Sequence, residues 1–214
     1  MSADKAAIFP DEISFTDGVV VPSALEAAGC ALCVREAGTA MPGVSTPALG
    51  LLLPSLNGAA KSIHKTLVVV GGSASSGSMV TQIATSTGIN VIAIAGAKNA
   101  GLVKQCGASV VLDRQDESLV GKVVDAVNAA GISEFIGIFN AISSPGTYAQ
   151  DLSILAKLGG GHLACTHPPP ADVPENVKAG MIFAVNDIAT PVWREFVHLR
   201  WALGSSSACR RPKA

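Results

Sequence analysis

Charge and aromatic rings are both scarce in this sequence: 14% of its 214 residues are Asp, Glu, Lys or Arg, and 4% are Phe, Trp or Tyr. Fifteen basic against sixteen acidic residues leave a net charge of −1. That balance excludes the basic footprint of a nucleic-acid or anionic-membrane binder. No charged residue at all occurs from Thr66 to Ala97. The stretch is nevertheless not a membrane span, because Gly71, Gly72, Ser73, Ser75, Ser76, Gly77 and Ser78 interrupt it, and no window of about eighteen continuously apolar residues remains. The opening MSADKAAIFPDE carries no apolar h-region, so it does not read as a signal peptide. The expectation is a cytoplasmic protein with reduced thiols, since its five cysteines are odd in number.

Metal-ligand spacing is also lacking. His64, His162, His167 and His198 share none with each other or with the cysteines. Cys30 and Cys33 form a CxxC with no second pair nearby. It reads either as two small apolar residues of a helix or as a redox or metal pair. Ser143, Ser144 and Pro145 have no His and Asp pattern of a hydrolase around them and read as a turn.

What is present is alternation. Short β-branched runs at 67–70, 90–95, 108–112, 135–139 and 161–165 are separated by helical patterns at 79–84, 100–106, 119–127 and 147–158. Gly88, Gly107 and Gly131 close the first three helices, and Asp116 or Ser118 caps the third. Strands alternating with such helices are βαβ units, and runs apolar on both faces belong to a sheet covered on both sides. The fold class expected is α/β, a Rossmann-like doubly wound parallel sheet over residues 65–203. Residues 1–64 form a connecting arm with one helix at 22–37, and 204–214 form a disordered polar tail.

The motif that carries chemistry is TLVVVGGSASSGSMVTQIA, from Thr66 to Ala84. Gly72, Ser73, Ala74, Ser75, Ser76 and Gly77 form a turn of small residues between a strand and a helix. Small side chains let a backbone approach a pyrophosphate, and the N–H groups at the helix start donate to phosphate oxygens with the dipole behind them. The turn is not a strict G-x-G-x-x-G, and glycine in such a turn also serves packing alone. Because no Lys follows Gly77, it is not a P-loop.

Charge then argues which dinucleotide. NAD sites place Asp or Glu about twenty residues past the glycines, on the ribose 2′-hydroxyl. Here that corner reads Gly96, Ala97, Lys98, Asn99, and no acid appears before Asp113. A cation there favours the 2′-phosphate of NADP(H), with Arg114 as a second cation. The alternatives are a solvated helix start for Lys98 and a surface charge for Arg114.

Four segments together carry a resemblance: VVVGGSASSGSMVTQIA, VIAIAGAKNAGLVKQCGASVVLD, NAISSPGT and LAKLGGGHLACTHPPP. They resemble the cofactor domain of medium-chain dehydrogenase/reductases, in the zinc-free fungal branch with trans-acting enoyl reductases of polyketide synthesis and quinone-reductase-like proteins. FPDEISFTDGVVVPSALEAAGCAL is similar to the segment joining that family's two domains, so the likeness covers residues 9–198. It implies pyrophosphate contacts by Ser73, Ala74, Ser75 and Ser76, and a 2′-phosphate corner at Gly96–Asn99. Asn140 and Ala141 would border the nicotinamide. The resemblance further implies an NADPH-dependent enoyl or quinone reductase acting on a small molecule, with no metal. It implies a homodimer through an edge strand at 181–185, and a GroES-like catalytic domain and last strand missing from the chain. A non-catalytic NADP(H)-binding module is the alternative.

Overall fold

The structure, a computed structural model, describes residues 13–32, 61–131 and 134–182. The last residues of the helix expected at 22–37, the arm from 33 to 60, most of the edge strand expected at 181–185, and the tail lie outside the described residues.

Two helices precede the sheet, α1 (Phe15–Gly18) and α2 (Val21–Leu32). Then come β1 (Lys65–Val70), α3 (Ser75–Ser86), β2 (Asn90–Ala95), α4 (Ala100–Gln105) and β3 (Val110–Asp113). The second half is α5 (Leu119–Ala129), β4 (Glu134–Asn140), α6 (Pro145–Lys157), β5 (Gly161–Cys165) and β6 (Val177–Met181). All six strands are parallel in the order β3-β2-β1-β4-β5-β6. That order is the doubly wound arrangement in which the chain reverses direction between β1 and β4, and such sheets bind ligands at the crevice beyond the strand ends there.

Successive side chains of β1 go to opposite layers, and both layers are dry. Leu67 and Val69 join Ala28, Val80 and Val103 on the face covered by α2, α3 and α4. Val68 and Val70 join Val123, Ile154 and Leu163 on the face covered by α5 and α6. Each fully buried Val, Leu, Ile or Phe contributes about 1.5–3 kcal/mol, so two apolar layers hold the strand ends in place. The segment Phe15–Leu32 is long and apolar enough, by length and composition only, to cross a membrane. Here it is broken at Val19 and Val20, and Ala24, Leu25, Ala28 and Leu32 pack into the core.

One irregularity governs the central strand. Thr66 pairs with Phe135, but Leu67 pairs with Gly137, leaving Ile136 as an extra residue in β4. Gly137 makes this possible at φ 136°, where a β-carbon would stand 2.3 Å from the carbonyl oxygen of His162. As a result Ile136 lies in the α2–α4 layer and Ile138, two positions on, in the α5–α6 layer.

The last described strand is β6 at Val177–Met181, upstream of the 181–185 run that the sequence suggested. VKAGM has a mixed burial pattern, as a strand at the end of a sheet does, and follows a proline-rich approach. It therefore offers no strong apolar signal, whereas MIFAV does.

Candidate functional site

The turn after β1 folds back on its own sheet. The Gly71 and Gly72 amides both donate to the Ile94 carbonyl of β2, at 3.0 and 2.9 Å, and Ala74 N–H donates to Gly71 O at 2.8 Å. Helix α3 then starts with no side-chain cap, because its N-cap residue is Ala74. Its first N–H groups, Ser75, Ser76 and Gly77, have no carbonyl one turn back, and the first intrahelical bond begins at Ser78. An alanine N-cap forgoes about 1 kcal/mol relative to serine, so this end of the helix is open to an outside acceptor. Gly77 is buried beneath it, and a β-carbon there would lie 2.2 Å from Gly71 O. Only glycine lets the helix start sit this close to the turn.

The second loop, Gly96–Asn99, stands beside the first. Residues Ala97–Asn99 form one turn of 3₁₀ helix, and Asn99 Nδ2 donates to Ser73 Oγ across 3.2 Å. Lys98 is exposed. Arg114, exposed after β3, donates its backbone N–H to Ala95 O at 2.9 Å. Its Nε lies 3.7 Å from where a β-carbon of Gly96 would stand. Two cations thus flank one corner, and among the described residues neither makes an ion pair.

The structure therefore brings together Gly72 to Gly77, Gly96 to Asn99 and Arg114. It treats Asn140 differently. The Asn140 side chain is fully buried at the end of β4 and its polar atoms are all engaged inside the protein. Nδ2 donates to Thr147 Oγ1 at 2.9 Å and to Asp151 Oδ2 at 2.5 Å. Oδ1 accepts from Ile142 N and Ser143 N at 2.9 and 2.7 Å. Asn140 shapes the loop, and the loop forms the crevice wall. Ala141 N–H donates to Val70 O at 2.9 Å, and the half-exposed Ile142 lies against Gly71.

Ser143 holds φ 52°, an uncommon conformation for serine. Its hydroxyl donates to Asn140 O at 2.9 Å and accepts from Thr166 N at 2.9 Å, which ties the loops after β4 and β5 together. Ser144 and Thr147 form a capping box at the start of α6. Opposite the α3 N-terminus, a cleft of about 280 Å³ is walled by Ser23, Ala24, Glu26 and Ala27 of α2, Ser75, Ser76, Thr166 and Ile182.

Sequence reasoning passed over Asp151. It is fully buried on α6, and its Oδ1 has no hydrogen-bond partner. Burial pushes its carboxyl up to about 7, against the opposing effect of the Asn140 amide. Burial likewise pushes the nearby Cys165 thiol up to about 12, so it is an inert packing residue. A signal for Asp151 did exist: an acid sits in the buried stripe Tyr148, Asp151, Leu155 of α6. Among the described residues no cluster of His, Cys, Asp or Glu is placed to hold a metal ion.

The fold and this loop cluster define a Rossmann-like α/β unit with a crevice at the β1/β4 switch point. No family model matches the chain. It is 65% identical over 195 residues to the dehydrogenase orsE of Emericella nidulans, spanning 91% of this chain and 56% of that protein. To the trans-enoyl reductase himH of Aspergillus japonicus it is 29% identical over 210 residues, 95% of this chain and 56% of that one. The crystal structure of Escherichia coli quinone oxidoreductase complexed with NADPH has the same fold, with a TM-score of 0.65 at 16% identity over 99% of this chain and 60% of that chain. By sequence the chain is a relative of fungal proteins named dehydrogenases and trans-enoyl reductases, and by fold it resembles enoyl reductases and quinone oxidoreductases. It spans about half the length of the curated relatives it matches.

Proposed function

We propose that this chain binds NADP(H) and is the cofactor-holding part of an oxidoreductase that reduces an activated alkene or carbonyl of a small molecule. The observation that carries the reading is the pairing of the uncapped α3 N-terminus with the Lys98–Arg114 corner, joined by the Asn99–Ser73 hydrogen bond. Open amides suit a pyrophosphate, and two cations suit a 2′-phosphate. The residues present thus fit the cofactor, which when bound supplies the hydride.

The chain's own work is binding and orientation. The Ser75, Ser76 and Gly77 amides hold the phosphates, and Lys98 and Arg114 choose the phosphorylated ribose. The turn at Ala141 and Ile142 walls the crevice on the β4 side. The cleft between α2 and the α3 N-terminus is roomy enough for a small acyl or quinone group. In the same reading, two copies pair along the outer edge of β6, where the 181–185 run begins.

Calorimetric titration with NADPH and NADH, with NADPH oxidation followed over enoyl thioesters, quinones and aldehydes, tests the proposal. Tight NADPH binding with turnover supports it whole. Binding without turnover leaves a dinucleotide-holding module. No heat with either cofactor overturns it.

A further inference from the structure

Asp151 is a buried carboxyl group with no cationic neighbour. On α6 it is followed by Ile154 and Leu155, both fully buried. One oxygen accepts from Asn140 Nδ2 at 2.5 Å and the other has no partner. The Asn140 oxygen in turn receives the N–H groups of Ile142 and Ser143, the two residues that carry the chain over the crevice. Ile142 reaches the glycine turn, where its Cδ1 lies 2.8 Å from the position a β-carbon of Gly71 would take. A single amide therefore couples a residue in the α6 layer to the wall of the nucleotide crevice.

We infer that Asp151 is a positioning residue: by fixing the Asn140 amide from below, it holds the 141–143 turn against the glycine turn and so sets the shape of the crevice. Its bearing on cofactor affinity rests on the NADP(H) reading; its bearing on the turn does not. The amide has four bonds to make, and all four are made only while Asp151 accepts one of them. A neutral carboxyl keeps that geometry in a dry layer. An ionised one, with its second oxygen unpaired, draws in water or swings away.

The titration belongs to Asp151 rather than to its surroundings. The groups that face it are the Tyr148 phenol on its own helix and the Cys165 thiol on β5, both held neutral by burial. From α5, which packs on α6, Lys122 and Asp125 point outward and are exposed, and Lys122 is paired with Asp116. The raised carboxyl value therefore makes the turn tight in mild acid and looser in mild base.

Hydrogen exchange of the Ile142 and Ser143 amides in the full chain without cofactor, from pH 5 to 8.5, tests this directly. Protection, corrected for intrinsic exchange, is expected to be constant up to about pH 6.5 and to fall about tenfold by pH 8. Asp151→Asn keeps the acceptor and removes the charge, so its protection is expected to be independent of pH. Asp151→Ala is expected to lose protection at every pH. Wild-type protection that does not change with pH, or an Asp151→Asn variant that follows the wild-type profile, overturns the inference, and neither result needs Asp151→Ala to fold. A parallel NADPH titration is expected to track the exchange. A failure to bind NADPH at any pH removes the proposed function and leaves the exchange result to decide the role of Asp151.

Discussion

Asn99 Nδ2 donates to Ser73 Oγ, and this bond of 3.2 Å fastens the turn after β1 to the turn after β2. Twenty-six residues separate the two in sequence. Each turn carries a different half of the proposed recognition, amides in one and cations in the other, so their relative placement sets how well both phosphate groups are met. Removing the tie while leaving all cations and amides in place isolates that contribution. Asn99→Ala is expected to weaken NADPH by about three- to tenfold, in line with about 0.5–1.5 kcal/mol for one hydrogen bond. The melting temperature is expected to change little, and calorimetry with thermal melts checks both.

Lys98→Ala separates the two cofactors. Lys98 is exposed, so its phosphate contact is expected at the low end of the charge-assisted range, about 1.5 kcal/mol, or roughly tenfold in NADPH affinity. NADH affinity is expected to stay the same. The ratio should shrink as salt rises, because exposed charges are screened. Equal losses for both cofactors would take Lys98 out of the corner. Arg114→Ala, read the same way, tests the second cation.

Gly77→Ala places a methyl group 2.2 Å from the Gly71 carbonyl oxygen. The helix start must retreat from the turn, and overpacking of this kind costs about 1–3 kcal/mol. The expected outcome is a lowered melting temperature together with loss of NADPH binding. A variant that binds as the wild type does would show that the α3 amides are not the seat.

Stability should depend on pH through Asp151. Its carboxyl stands at about 7 in the folded chain against an ordinary 3.8. Between those values the folded protein carries a proton that the unfolded chain has released, so stability falls as pH rises from about 4 to about 7 and levels off above. Asp151→Asn removes that loss, and is expected to be more stable than wild type at pH 8 by a few kcal/mol. His162, its value lowered by burial and by Lys178, also contributes to the pH dependence. Subtracting the variant's denaturation curve from the wild type's cancels its contribution.

Much of this was legible in the residues. The strands at 90–95 and 161–165 match their apolar runs end to end, and the helices stop just short of Gly88, Gly107 and Gly131. Strand and helix periods differ, and a sheet buried on both faces leaves little choice of residue. The glycine turn was legible for a similar reason: close backbone approach, as at Gly77, admits only the smallest residue and leaves its mark in sequence. The role of Asn140 was not legible, because whether a polar side chain at a strand end looks toward ligand or into a helix depends on its facing. Asp151 was hidden by the same gap, since its partner lies eleven residues away on another element. The cap on α5 shows a smaller version. Ser118 holds the N-cap position without a side-chain bond, and Asp116 instead accepts from the Ser118 amide.

The additional residue at Ile136 absorbs an offset of one between two neighbouring strands. Beyond it, Gly137 to Asn140 keep step with Leu67 to Val70, so Phe139 shares a layer with Val69 while Asn140 looks toward α6. A residue added between Ile138 and Phe139 has no such outlet: alternation would turn Asn140 toward α3 and send Phe139 toward α6. Asp151 would then face an aromatic ring in place of an amide, and the wall of the crevice would lose its internal brace. The strand thus tolerates a change of length at its entry, where the slack is taken up, and not at its far end.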